Sequence, residues 1–572
     1  MGYNITNFLA RGGYKMSTLL NVGEADFAAL RSNHAYYVDK TKILHDLVKN
    51  TGNKVTLITR PRRFGKTLML SMLENFFSIR KDSKTLFDGL SVSQDIDFCK
   101  NWMNQYPVLF FSLKDVEGDD FESAYQMLKT KLADTCKELA PVFVNAPVDN
   151  DDMEIFLKLK ATTAEEDKVK NSLKTIMRML NATYGKPVIL LIDEYDVPLA
   201  KASEKNTKTN RYYEKMLTVV QSIMSTALKD NEFLKFSVIT GCLRIAKESI
   251  FTGANNFASY SILDNGFSEY FGFSESEVKE LLAEIGNQDK EEIVGEWYDG
   301  YLFGNSRIYC PWDVMRFAAE LQTDKNAKPK NYWKNTSHNG VLLTFAKRTD
   351  FRVSGKFETL LNGGSITQTL TDELTYDTLE TSEENLWSVI FMTGYLTKTE
   401  ASDDNKITLR IPNKEISTIF EDAVVRLFKD TLDTTKQKSL MDALWHRDGE
   451  IASACISDLL WKTISYNNYH EDYYHAFLTG VFVGLGYEVE TDREHGLGRT
   501  DIVLKDTDNR RAIIIEAKKS RTEEDMDANC DAALSQIRNR RYASDLYGFA
   551  EVLCYGVAFF QKQAKVKLLP MT

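Results

Sequence analysis

"TLITRPRRFGKTLMLSML", Thr56 to Leu73, joins an apolar run to a basic loop ending Gly65-Lys66-Thr67, and then to a helical pattern. Backbone N–H groups at such a loop-to-helix junction point toward an anion, and the helix dipole adds to the attraction. Gly65 lets the backbone come close, Lys66 reaches outer phosphates, and the Thr67 hydroxyl suits Mg2+. The usual loop of this kind has glycine five residues before Gly65, where this chain carries Arg60. Taken alone, the segment is either a changed phosphate loop or a basic solvated turn.

A nucleotide site needs a second half, an apolar strand ending in acids. "PVILLIDEYDVPL" (Pro187–Leu199) supplies it. Asp193 is expected to hold Mg2+ through water and Glu194 to polarise the attacking water, with Asp196 structural. The next apolar run ends at Thr240–Gly241, which makes Thr240 a candidate reporter on the γ-phosphate. Arg244, just beyond, is a candidate phosphate contact in cis or across a subunit, the alternative being a residue of the helix surface.

Outward from these motifs, short β-like runs alternate with helical patterns to about residue 265. The runs are Lys54–Thr59, Val108–Leu113, Val188–Ile192 and Phe236–Thr240, with a weaker fifth at Tyr260–Leu263. Nearly unbroken apolar runs suit strands covered on both faces, so the alternation predicts a mainly parallel, doubly wound α/β sheet. Between about 270 and 455 the pattern is mostly helical. Ser274 and Glu277 in "FGFSESEVKELL" form a capping box, "EWYDGYLFG" reads as a loop, and Ser402–Asn405 reads as a turn between two strands. The aromatics of "NYW", including Trp333, read as packing.

After about 465 a smaller α/β unit follows. Asp501 begins the strand "TDIVLK", while Glu516 and Lys518 lie two apart on "RAIIIEAKK" and so share a face. A hairpin brings two carboxylates and an ammonium together, an arrangement that suits Mg2+ and a scissile phosphate. The "AIII" before Glu516 argues for a central strand. Arg538, Arg540 and Arg541 form a basic strip suited to phosphates. Glu471 and His475 are further polar candidates on the preceding helix.

Composition limits the alternatives. The 572 residues suggest two to four domains, and 43% apolar and 11% aromatic residues are those of a globular chain. The net charge of −11 argues against bulk attraction to nucleic acid, while leaving local basic grooves open. Seven scattered cysteines without a CxxC pair, no HExxH and no run near ~20 apolar residues point to a reducing, cytoplasmic setting without a membrane span. Cys242 reads as a small buried residue.

Together, "YYVDKT" (Tyr36–Thr41), "TRPRRFGKT", "LIDEYDVPL", "TGCLRIAKESIFTGANN" (Thr240–Asn256), "FGFSESEV", "WYDGY" and "TGYLT" resemble the bacterial AAA-ATPase-like family. In that family the ATPase-like domain is commonly followed by a PD-(D/E)XK nuclease-like domain. The resemblance implies a P-loop NTPase fold of AAA/ASCE type and a restriction-endonuclease-like C-terminal domain. It makes Arg60, Pro61, Arg62 and Arg63 the family's own loop variant, with the three arginines nucleotide-binding. It also carries the D…ExK roles onto Asp501, Glu516 and Lys518, with Gln536 and Tyr542 as the supporting helix motif. The expected organisation is a disordered leader over 1–15, an ATPase-like domain over 16–268, a helical middle over 269–460 and a nuclease-like domain over 461–572. The expected activity is ATP binding and hydrolysis controlling Mg2+-dependent cleavage of DNA. One alternative is a nucleotide-switched module that grips nucleic acid or protein with an inactive nuclease fold; another is an assembly ATPase that forms homo-oligomers through Arg244.

Overall fold

The five apolar runs of the first half become β1 (Val55–Thr59), β2 (Val108–Ser112), β3 (Val188–Asp193), β4 (Leu234–Gly241) and β5 (Phe257–Tyr260) in the computed structural model. They form one sheet in the order β2-β3-β4-β1-β5, and every neighbouring pair is parallel. Every residue of β1 and β3 is buried, which explains their unbroken apolar character. The fifth strand lies three residues earlier than the sequence pattern placed it. Val55–Ile58 pair with Phe257–Tyr260, and Ser261 begins a turn in which its N–H and hydroxyl both donate to Asp264.

The structure describes residues 18–49, 52–205, 211–244, 257–333, 353–361, 363–371, 374, 382–403, 406–431, 434–463, 471–483, 487–495, 498–542, 546 and 548–570. The leader expected over 1–15 and the turn residues Asp404 and Asn405 lie outside them. The chain divides into two compact units, Met1–Lys330 with Thr369–Lys406, and Asn331–Gln368 with Ile407–Thr572. The residues expected to form a helical middle, 269–460, fall partly in each unit.

In the first unit, the helix Lys66–Phe77 leaves the loop after β1 and buries Met69, Leu70, Leu73 and Phe76 against the sheet. Asp120 and Ser123 form a reciprocal capping box that starts the helix Phe121–Leu139. The expected box at Ser274 and Glu277 is present too, and the Glu277 carboxylate also pairs with Lys40 at 2.7 Å. Asp39 accepts from the Thr41 hydroxyl and the Ser91 N–H. "YYVDKT" is therefore a clasp made of adjacent side chains that reach two different segments. "YLFGNSRI" folds as a hairpin of β6 (Tyr301–Phe303) and β7 (Ser306–Ile308), where sequence reading had only a loop. The Gly304-Asn305 pair between Tyr301–Phe303 and Ser306–Ile308 was the available signal.

Three more short strands follow: β8 (Ile366–Gln368), β9 (Thr397–Asp403) and β10 (Lys406–Arg410), with Ile407 of β10 antiparallel to Gln368 of β8. In the second unit, Trp333 is buried and its backbone N–H donates to Glu415 Oε1 at 2.9 Å. Here β11 (Glu488–His495), β12 (Gly498–Asp506), β13 (Arg511–Lys519), β14 (Glu551–Phe560) and β15 (Gln563–Leu568) form a sheet in that order. Only β13 and β14 are parallel, joined by the helix Met526–Arg540 that packs on them. β13 is the central strand, as "AIII" suggested. The helix Glu471–Val483 packs against β11, β12 and β13. Among the described residues, no helix is long and apolar enough to cross a membrane.

Candidate functional site

In the first unit the C-terminal ends of β1, β3 and β4 bring loop, acids and polar strand end together, because β4 separates β1 from β3. Asp193, fully buried, is gripped from both neighbours. Its Oδ2 accepts from the Thr67 hydroxyl at 2.8 Å and its Oδ1 from the Thr240 hydroxyl at 2.6 Å. Carboxylate and hydroxyl oxygens are the hard donors Mg2+ takes, so Thr67 and Asp193 fit that ion. Thr240, expected to report on the γ-phosphate, is 0% exposed and gives its one hydroxyl proton to Asp193.

Lys66 folds back on its own loop, donating to the Arg60 and Pro61 carbonyls at 2.9 Å each, with the Cys242 sulfur 3.6 Å away. Gly65 supplies φ +82 at the helix start, and Arg63 holds φ +71. Burial and the neighbouring Asp193 push the Glu194 carboxyl up, while Lys66 opposes them. Glu194 also has φ +51, a left-handed conformation costly for a side-chain-bearing residue. Asp196 is structural: Oδ2 accepts from the N–H groups of Cys242 and Leu243 at 3.0 Å each. The Tyr195 hydroxyl donates to Leu243 O at 2.8 Å. A Cβ on Gly241 would lie 2.5 Å from the Tyr195 ring and 2.7 Å from Asp196 Oδ1, so the clamp requires glycine there. Sequence reading missed the Tyr195 clamp, since nothing local in "DEYD" announces a partner 48 residues on.

The three loop arginines part company. Arg60 does not face the loop; it is 0% exposed and donates to the Thr59, Tyr260 and Gly266 carbonyls. Its guanidinium lies 5.5 Å from the Phe271 and Phe303 rings. Arg63 is also drawn away, 3.7 Å from Asp313 and 5.6 Å from the Trp312 ring centre. These two corrections leave Arg62, which is exposed. Burial lowers its pKa, but Cys242, Asp196 and Glu194 more than offset that, placing it among the site's own groups. Arg244 ends the described stretch after β4, its carbonyl accepting from Leu374 N–H.

In the second unit Asp501 on β12 and Glu516 and Lys518 on β13 do meet. Asp501 Oδ2 accepts from Ala517 N–H at 2.7 Å, and Lys518 Nζ lies 3.4 Å from Glu516 Oε1. Gln536 donates to the same Oε1 and, at 3.3 Å, to the Tyr542 hydroxyl. His475 Nε2 lies 2.7 Å from the Asp501 carbonyl oxygen. The Glu471 side chain lies outside the described residues. Arg538, Arg540 and Arg541 are exposed at the end of the helix that carries Gln536.

Glu516 is 0% exposed, and its Oε2 has no hydrogen-bond partner. Burial and the charge of Asp501 push its carboxyl up to about 7, with Lys518 opposing. A divalent cation held by Asp501 and Glu516 would supply the missing partner and reverse the like-charge repulsion. No group of three or more His, Cys, Asp or Glu able to hold a metal occurs among the described residues. Two carboxylates leave positions for water and phosphate, which suits Mg2+.

The sign of the pH dependence follows. With the folded value raised above the ordinary 4.5, the metal-free fold binds the extra proton, and stability declines as pH rises from about 4.5 to about 7. Added Mg2+ is expected to raise the melting temperature more at pH about 8 than at pH about 6. In Glu516→Gln that difference should vanish; an equal rise at both pH values in the wild type would contradict it.

Residues 21–251 match the AAA-ATPase-like family, described as a predicted AAA-ATPase, and residues 469–568 match the PD-(D/E)XK nuclease superfamily. The chain is also 24% identical over 499 residues to an "Uncharacterized protein in vnfD 5'region" of Azotobacter chroococcum mcd 1, covering 85% of this chain and 86% of that protein. Sheet order, loop and paired carboxylates agree with both matches, which put an AAA-ATPase-like domain at 21–251 ahead of a PD-(D/E)XK nuclease superfamily domain at 469–568.

Proposed function

We propose that this protein binds and hydrolyses ATP with Mg2+ in its first unit and, under the control of that nucleotide, cleaves DNA with Mg2+ in its second. The observation that carries the nuclease reading is the buried, unpartnered Oε2 of Glu516 beside Asp501. A wholly structural glutamate at 0% exposure would be left with an uncompensated lone-pair set.

In the nuclease site Asp501 and Glu516 would hold the metal, which supplies charge stabilisation for the scissile phosphate. Gln536 fixes the Glu516 carboxylate through Oε1, and Tyr542 in turn steadies Gln536. Lys518 orients or activates water, and Arg538 and Arg541 meet neighbouring phosphates. In the ATP site Lys66 leaves its two carbonyls for the outer phosphates, Arg62 adds charge, and Glu194 accepts the proton of the attacking water. Arg244 is assigned to phosphate as well, in the same chain or a second copy. Seven cysteines without a disulfide support a reducing, cytoplasmic setting.

The 3.4 Å contact between Lys518 and Glu516 favours a second reading, in which an internal ion pair fills the site and the fold only grips nucleic acid or a partner. That contact engages Oε1 alone, so the enzyme reading is preferred. The test is cleavage of single- and double-stranded DNA and RNA by wild type, Lys66→Ala and Lys518→Ala, each with and without ATP and Mg2+. Metal-dependent cutting of DNA, lost in Lys518→Ala and insensitive to ATP in Lys66→Ala, is expected. Binding without cutting would instead establish the grip.

A further inference from the structure

We propose that Thr240 is a positioning residue for the metal-binding carboxylate of Asp193, setting the affinity of the first site for Mg2+ and not its affinity for nucleotide. The inference rests on the reading of that site as a Mg2+–nucleotide site.

Three observations carry it. Thr240 and Asp193 are both 0% exposed, so the hydroxyl has no surface to offer a phosphate. The 2.6 Å bond to Oδ1 uses the only proton the hydroxyl has, and it leaves Oδ2 turned to Thr67 at 2.8 Å. The backbone that carries Thr240 is itself fixed. Its carbonyl accepts from Tyr195 N–H at 3.1 Å, and the next residues are clamped by Asp196 through Cys242 N and Leu243 N. A rigid donor on β4 thus pins one oxygen of a carboxylate on β3, leaving its other oxygen to the shared Thr67–metal locus on the helix after β1. This is the arrangement by which a hydrogen bond behind a ligand orients it and tunes metal affinity.

The experiment measures binding of a fluorescent ATP analogue to the full chain, first in EDTA and then across a Mg2+ titration, for wild type, Thr240→Val, Thr240→Ala and Thr240→Ser. In Thr240→Val the half-saturating Mg2+ concentration is expected to rise about 10-fold or more, with metal-free affinity unchanged. Thr240→Ala should behave alike, so the result does not hang on the folding of one variant, and Thr240→Ser should restore the wild-type Mg2+ requirement. An unchanged Mg2+ requirement in both hydroxyl-free variants overturns the assignment. So does loss of the preference for ATP over ADP in EDTA, the mark of a direct phosphate contact. Wild-type protein that binds no analogue under any condition overturns the nucleotide site itself, a different failure.

Discussion

Glu194→Gln is expected to keep nucleotide binding and lose ATP hydrolysis by about 10²–10⁴-fold, the range that removal of a positioned general base commonly gives. The amide has the size of the carboxylate but no basicity, so the comparison isolates proton acceptance. Glu194 follows the buried end of β3 in a left-handed conformation, φ +51, that a side-chain-bearing residue adopts only when its surroundings impose it. The same surroundings raise its pKa, through burial first and Asp193 second, which makes the carboxylate a better base than one in water. Lys66 works the other way and keeps the group ionisable. Single-turnover hydrolysis measured beside analogue binding separates the two outcomes. A variant that hydrolyses at the wild-type rate would remove Glu194 from the chemistry, and one that loses binding would make it a structural residue of the loop.

Much of this was readable from the chain because the signals are local. Buried parallel strands announce themselves as apolar runs, and a capping box occupies four adjacent residues, so β1 to β4 and Ser274–Glu277 fell where periodicity put them. The D…ExK pair was legible for the same reason: alternation on β13 aims Glu516 and Lys518 at one face. The division of labour inside "RPRR" was not. Four residues of one charge pattern give no hint which guanidinium turns inward, since the partners that decide it, Gly266, Phe271, Phe303 and Asp313, lie 200 or more residues away. The partner of Thr240 was hidden for a related cause. A polar residue at a strand end looks ligand-facing in sequence, and only the order of β3, β4 and β1 shows that a neighbouring carboxylate takes its proton.

Arg60→Ala is expected to destabilise the first unit by about 3–5 kcal/mol, while Arg62→Ala leaves stability nearly unchanged and weakens ATP-analogue binding. Arg60 lies at the end of β1, where its N–H donates to Gly241 O, and its backbone has no positive φ. Residue 60 therefore does not need glycine, and the loop turns instead at Arg63 and Gly65. Free of that requirement, the side chain passes into the core and joins three carbonyls from three segments, at 2.8, 3.0 and 3.3 Å. Truncation strands the Tyr260 and Gly266 acceptors beside a hole walled by Phe271 and Phe303, and both the lost hydrogen bonds and the hole destabilise. Arg60→Lys should recover only part of the loss, because one ammonium cannot reproduce a planar fork stacked between rings. Chemical unfolding of the three variants, read beside analogue binding, decides the matter. If Arg60→Ala kept its stability and lost nucleotide instead, the guanidinium would belong to the phosphates after all, and the loop would grip its ligand with two arginines in place of one.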